Sequence, residues 1–152
     1  MHNELLKQSE IFADLDDAQL ESVARICTPQ ALKWGEYVFR EGDEGDRLYV
    51  ITKGAVRISR NVPGTGEEAI TILKRGACFG EMAVVDHSRR STDAIVDTSC
   101  ELLTITRTDF EALLDADREL AYKLLWSLVR LMSARLRSTN DNLQGILVMA
   151  MF

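Results

Sequence analysis

Glycines divide the middle of the chain into short segments in which apolar and polar side chains alternate. The alternation is clear at residues 37–40 and 56–59, and glycine occurs at positions 35, 42, 45, 54, 64, 66 and 76. A period of two, with turn residues at roughly every 8 to 12 positions, predicts short antiparallel strands in a sandwich or barrel. Within this region the runs 48–52 and 69–73 predict strands with at least one buried face. The sequence therefore predicts a mainly β core.

Helical periodicity replaces this alternation on both sides of the β region. Residues 4–27 carry apolar side chains at helical spacing, and Asp16 with Gln19 resembles a capping pair. On the other side, Thr108 and Glu111 predict a capping box at the start of a helix. The sequence thus predicts one domain over 1–152, with a helical part at about 1–29, a β-barrel at about 30–107 and helices at about 108–152.

The final helical region, from Arg118 onwards, contains no proline and repeats its apolar residues every seven positions. One series is Leu125, Met132, Thr139 and Ile146, and the other is Val129, Leu136, Leu143 and Ala150. Seven of these eight positions are apolar, and such a two-position seam favours a helix partner, so we expect a homodimer. A helix packed only against its own domain is the alternative. If two helices do pair, the polar Thr139 in the seam would determine their register or contact a ligand.

Charge and missing motifs argue against several classes of function. The net charge is −6 and the pI about 5.0, which disfavours a generic basic surface for nucleic acid. Only two histidines are present, and the sequence has no P-loop, no GxSxG, no CxxC and no HExxH motif. We therefore expect no enzyme activity, no metal site and no cofactor.

Targeting signals are also missing from the sequence. It has no run of about 18 apolar residues, and the N-terminal MHNELLKQSE lacks the apolar core of a secretory signal. The three cysteines have no disulfide-framework spacing, which is typical of a reducing compartment. These features predict a cytoplasmic protein without a membrane span.

The most informative segment is FGEMAVVDHSRRST at residues 79–92. Gly80 allows a close approach of the backbone to a ligand, and a helical turn starting at Glu81 would present free N–H groups to an anion. Glu81 is an acceptor suited to hydroxyl groups, and the planar fork of Arg90 matches two phosphate oxygens. Two small donors follow Arg90, namely Ser91 and Thr92. These residue types together indicate a nucleotide site.

This segment resembles the phosphate-binding cassette of the cyclic nucleotide-binding domain family, which includes catabolite activator proteins and the regulatory subunits of protein kinase A. The family pattern is approximately F-G-E-[LM]-A-[LIV], a variable loop, and an arginine followed by small residues. Residues 35–58 are similar to the family's first hairpins, and the resemblance extends over about residues 8–145. It implies a jelly-roll barrel with N-terminal helices and a long C-terminal dimerisation helix.

The resemblance implies a role for each matching cassette residue. Glu81 would bind the ribose 2′-hydroxyl, and Arg90 would bind the equatorial phosphate oxygen. Backbone N–H groups around Gly80, Met82 and Ala83 would complete the cradle, and Ser91 would bond the phosphate. Arg89 is a rival to Arg90, but neighbours in an extended segment point in opposite directions. Arg90 directly precedes the small pair Ser91-Thr92, as the family's arginine does, so the resemblance selects Arg90 and we expect Arg89 to be a surface charge.

Five further residues match positions that contact the base in the family. Ile58, Ile70 and Thr71 would line the barrel wall, although plain core packing explains them equally well. Thr139 would contact adenine from its own subunit. Asn140 would reach the partner's ligand, with a solvated helix position as the alternative.

We therefore expect a stand-alone cyclic nucleotide receptor that prefers cAMP over cGMP and acts through dimer geometry or an unknown effector protein. The family's transcription factors continue into a helix-turn-helix domain, whereas this chain ends at Phe152, so we expect no direct binding of nucleic acid. One alternative is an excised sensor domain of a longer transcription factor or channel. The other is an interaction module that no longer responds to ligand.

Overall fold

The structure is a computed structural model that describes residues 2–151, so positions 1 and 152 of the predicted domain lie outside it. One antiparallel sheet contains six strands, namely β1 (Thr28–Leu32), β2 (Tyr37–Phe39), β3 (Arg47–Val62), β4 (Gly66–Lys74), β5 (Cys78–Phe79) and β6 (Asp93–Thr106). The helices are α1 (His2–Lys7), α2 (Asp17–Ile26), α3 (Glu81–Asp86), α4 (Arg107–Ala116) and α5 (Arg118–Met151).

The long strands β3 and β6 organise the sheet. They pair with each other along most of their length, β6 also pairs with β1 and β2, and β3 also pairs with β4 and β5. The predicted mainly β fold, a jelly-roll barrel with flanking helices, is confirmed.

Gly54 does not end a strand as its turn signal suggested. It lies inside β3 with a φ of +83°, where the register with β6 shifts. A Cβ at this position would lie 2.4 Å from the Ser99 carbonyl oxygen. Glycine is needed here because it allows both the positive φ and the close backbone contact, so the strand bends and continues.

Alternate residues of β3 face two separate cores. Leu48 and Val50 pack with the helices, whereas Tyr49 and Ile51 pack inside the barrel. This is the period of two expected of a strand that is buried on both faces. The barrel core and the helical core therefore lie on opposite faces of β3.

The predicted helix over 4–27 is interrupted between α1 and α2. In the connecting turn the Phe12 N–H donates to the Ser9 hydroxyl at 3.3 Å, and Phe12 is fully buried. A new helix then begins after Asp16, whose carboxylate accepts the Gln19 N–H at 2.8 Å while the Gln19 side chain accepts the Asp16 N–H at 3.0 Å. The predicted capping pair is confirmed, and it starts a second helix.

The two C-terminal helices differ from the prediction in one detail. Thr106, not Thr108, caps α4, because the Thr106 hydroxyl accepts the Asp109 N–H at 3.2 Å. The following helix α5 runs without interruption for 34 residues and includes Gly145. Within residues 2–151 no helix is both long and apolar enough to cross a membrane.

Candidate functional site

A glycine joins β5 to the short helix α3. Gly80 has a φ of +80°, and a Cβ there would lie 2.8 Å from Nη1 of Arg90 and 3.1 Å from Cδ2 of Tyr49. A side chain would therefore be strained by the backbone conformation and would also collide with the guanidinium group. Glycine at position 80 permits the close approach of Arg90 to the start of α3.

Arg90 is a buried cation held by backbone oxygens. It is only 5% exposed; Nη1 donates to the Gly80 carbonyl at 2.8 Å and Nη2 to the Arg47 carbonyl at 2.6 Å. Its guanidinium carbon lies 4.2 Å from the centre of the Phe39 ring and 5.7 Å from that of Tyr49. Such cation–π contacts orient the group but do not neutralise its charge.

No carboxylate forms an ion pair with Arg90 in the described part of the chain. Its buried Nε also has no hydrogen-bond partner there. Burial lowers the pKa of the guanidinium, and Tyr49, Asp46 and Glu81 act in the opposite direction. Buried charges are normally paired, so this position favours a bound anion.

The neighbouring Arg89 has a different environment. Its side chain is exposed, and Nη1 donates to the Gly42 carbonyl at 3.0 Å. The two arginines thus point to opposite sides of the segment, as expected of adjacent extended residues. The geometry favours Arg90 over Arg89 as the anion ligand.

Glu81, the first residue of α3, has an ion-pair partner from α5. Glu81 is only 2% exposed, and its Oε1 lies 2.5 Å from Nη1 of Arg135. The other guanidinium nitrogen, Nη2, donates to the Cys78 carbonyl. Sequence reasoning missed Arg135, although it lies four residues before Thr139 and therefore on the same helix face.

Gly45 and Arg107 hold α3 against the barrel. A Cβ at Gly45 would lie 2.0 Å from the Cβ of Ala83, so only glycine fits against the helix. Arg107 donates to the carbonyls of both Gly45 and Ala83, the latter at 3.1 Å. Ala83 is buried, whereas the side chain of Met82 is 54% exposed. The sequence analysis had identified Gly45 only as a turn residue and had not assigned a role to Arg107.

The predicted barrel wall is more open than expected. Thr71 of β4 lies opposite Ile58 of β3, with Thr71 exposed and Ile58 half-buried. Ile70 is 55% exposed, and within β4 only Leu73 is not exposed. The prediction of a buried face for 69–73 is therefore wrong, because β4 lies at the edge of the sheet, beyond β3. Core packing does not account for Ile70 or Thr71.

The remaining predicted residues lie at or near the surface. Ser91 is exposed and Thr92 half-buried, directly after Arg90. Thr139 and Asn140 are exposed on α5, and the Thr139 hydroxyl donates to the Arg135 carbonyl at 2.9 Å. The structure thus brings Gly80, Glu81, Ala83 and Arg90 together around the start of α3.

Acidic, histidine and cysteine side chains do not form a metal site in the part of the chain that is described. No group of three or more of these residues within residues 2–151 is arranged to hold a metal ion. Burial raises the pKa of the Cys78 thiol well above its usual range, with Glu81 and Glu10 acting in the same direction.

Comparison with known proteins places this geometry in a family context. The sequence model described as "Cyclic nucleotide-binding domain" matches residues 29–117, which is more than half of the chain. A CRP-like cAMP-activated global transcriptional regulator from Mycobacterium tuberculosis is 30% identical over 145 residues, covering 95% of this chain and 63% of the regulator.

Two solved structures are similar over most of the chain. The N-terminal domain of a transcriptional regulator from Streptomyces coelicolor A3(2) is 33% identical with a TM-score of 0.76, and the match covers 90% of this chain and 95% of that one. The catabolite activator protein of Thermus thermophilus is 30% identical with a TM-score of 0.80, and the match covers 91% of this chain and 63% of that one. The chain thus spans less than two thirds of the Mycobacterium regulator and of the Thermus protein.

Proposed function

The chain belongs to the cyclic nucleotide-binding domain family, and from this premise we propose that it is a receptor for a 3′,5′-cyclic nucleotide and catalyses no reaction. The observation that carries the proposal is the buried guanidinium of Arg90, which has no ion-pair partner among residues 2–151 and lies beside the start of α3. A cyclic phosphate is a singly charged anion. Its negative charge would neutralise the charge of Arg90, with which no carboxylate among residues 2–151 pairs.

The remaining parts of the nucleotide would contact groups on either side of Arg90. N–H groups at the start of α3, around Gly80, Met82 and Ala83, would face the phosphate, and Ser91 would add a hydroxyl donor. Glu81 would accept a hydrogen bond from the ribose 2′-hydroxyl. Half-buried Ile58 with exposed Ile70 and Thr71 would form one wall for the base.

We infer a preference for cAMP over cGMP from Thr139. Its hydroxyl proton is directed to the Arg135 carbonyl at 2.9 Å, so the oxygen offers acceptor lone pairs to a ligand. Adenine presents an amino donor at its six position, whereas guanine presents a carbonyl acceptor there. Thr139 therefore suits adenine, and Asn140 would add a second contact to the ligand of a partner subunit.

Signalling would pass from the site to α5. Arg135 of α5 is paired with Glu81, and the heptad seam of the same helix is exposed, with Leu136 62% exposed. A ligand that engages Glu81 would therefore affect the helix through which we expect two copies to pair. The output would be a change in dimer geometry that an effector protein detects.

A second candidate role is that of the sensor part of a longer regulator. The match to a transcriptional regulator's N-terminal domain, which covers 95% of that domain, favours this role. The relatives named as transcriptional regulators also count against our expectation that nucleic acid is not bound directly, which stays a prediction. A ligand-independent interaction module is disfavoured, because such a module has no use for an unpaired buried Arg90.

Titration of variants at the two adjacent arginines tests the proposal. Arg90→Ala removes the charge-assisted partner of a buried phosphate and should weaken cAMP binding by about 2–5 kcal/mol, measured by calorimetry. Arg89→Ala is the matched control and should bind like the parent chain, because Arg89 is exposed. If circular dichroism shows that both proteins are folded and Arg90→Ala binds cAMP as tightly as the parent chain, the assignment is refuted.

A further inference from the structure

Arg135 lies between two carboxylates from different parts of the chain. Its Nη1 is 2.5 Å from Oε1 of Glu81, and its Nη2 is 3.6 Å from Oε2 of Glu10. Glu10 belongs to the turn between α1 and α2, far from the cassette in sequence. The guanidinium therefore joins three parts of the chain: the N-terminal turn, the start of α3 and α5.

Glu10 also fixes the strand that leads into the site. Its Oε2 accepts the Cys78 N–H at 3.1 Å, and its own N–H donates to the Gly76 carbonyl at 3.0 Å. The Cys78 carbonyl accepts from Nη2 of Arg135. Both polar backbone groups of Cys78, two residues before Gly80, are thus bound by the Glu10–Arg135 pair.

This arrangement determines how Glu81 is presented to a ligand. A carboxylate has two acceptor oxygens, and Arg135 contacts Oε1 of Glu81, which leaves Oε2 for a ligand hydroxyl. The Arg135 side chain is 36% exposed and has many rotamers, so one ion pair alone fixes its direction poorly. Glu10 supplies the second fixed point.

We propose that Glu10 is a positioning residue for nucleotide binding, which holds Arg135 so that Glu81 is oriented toward the ligand's 2′-hydroxyl. The proposal rests on the proposed function of the same site. Glu10 itself contacts no ligand in this arrangement. Its contribution should therefore appear only with ligands that carry the hydroxyl that Glu81 accepts.

Affinities for cAMP and 2′-deoxy-cAMP, measured by calorimetry on the full chain, test the proposal. Glu10→Gln keeps an acceptor for the Cys78 N–H but removes the charge, and it should lower cAMP affinity about three- to fivefold. Binding of 2′-deoxy-cAMP should not change, because that ligand lacks the hydroxyl. Asp14→Asn is the matched control, since Asp14 pairs at 3.0 Å with Arg130 of α5, outside the cassette.

Several outcomes would overturn the proposal. An equal loss for both ligands would mean that Glu10 supports the fold only, and no loss would mean that it has no role. In the Arg135→Met background, Glu10→Gln should cause no further loss of cAMP affinity. A further loss relative to Arg135→Met alone would show that Arg135 is not the link. Glu10→Asp, which retains the charge on a shorter side chain, replaces Glu10→Gln if that variant is unstable and should give a smaller selective loss. A parent chain that binds neither ligand would instead contradict the proposed function itself, and this inference with it.

Discussion

Two buried charges of opposite sign define the site at the scale of single residues. Glu81 has a counter-ion because α5 brings Arg135 to it, whereas the contacts of Arg90 within residues 2–151 are with carbonyl oxygens and aromatic faces. The same burial acts on Tyr49, whose pKa it raises, and Arg90 opposes that rise. The unbalanced charge is therefore positive and located at Arg90, which is where we propose that the phosphate binds.

The base preference makes a prediction at this scale. Thr139→Val keeps the shape of the side chain but removes the acceptor oxygen, so the preference for cAMP should fall toward equality with cGMP. In the parent chain we expect a preference of roughly five- to thirtyfold, equivalent to one well-placed hydrogen bond. Competition titrations of the two nucleotides measure the ratio. The control is Ser138→Ala, which removes a neighbouring exposed hydroxyl. An unchanged ratio in Thr139→Val would exclude this mechanism.

Individual residues were predictable where local chemistry identifies them. The choice of Arg90 over Arg89 followed from the resemblance of Arg90 and the small residues after it to the family pattern, and the alternation of an extended segment predicted opposite orientations. In the structure Arg90 is buried and Arg89 is exposed. Arg135 and Glu10 were not predictable, because their roles depend on long-range contacts with Glu81 and Cys78. A lone arginine on a helix and a lone glutamate in a turn resemble ordinary solvated charges in a sequence.

At the scale of elements, periodicity identified the strands and helices but not their ends or surroundings. The capping box at Asp16 was readable, yet the turn before it was not, because its apolar residues continue the helical spacing. The strand at 69–73 was correctly expected, but its exposure depends on its place at the edge of the sheet. Neighbours in space, which periodicity does not report, decide such features.

The long helix α5 carries a prediction about assembly. Leu136 is 62% exposed on the heptad seam, so Leu136→Glu should bury an unpaired charge in a dimer and dissociate it. Sedimentation velocity at tens of micromolar protein measures whether the chain is a monomer or a dimer. Met149→Glu, at a position that is 80% exposed and off the seam, is the matched control and should leave the dimer intact. A parent chain that sediments as a monomer with and without ligand would contradict the dimer.

At the scale of the whole molecule, the site joins parts of the chain that are distant in sequence. Strands β3 and β4 supply the wall, α3 and the segment between it and β6 supply N–H groups, Glu81 and Arg90, and α5 supplies Arg135 with Thr139 one turn further on. The N-terminal turn adds Glu10. Binding at this junction would therefore alter the position of α5 relative to the barrel, which is the basis of the proposed signal.

The most direct test of the central claim is a calorimetric titration of the unmodified chain with cAMP. We predict a saturable heat with one cAMP bound per chain, which cGMP displaces only at higher concentration. This result follows from the buried Arg90 beside the start of α3, which has no ion-pair partner among residues 2–151. A folded chain that gives no saturable binding of either nucleotide at millimolar concentration would contradict the account.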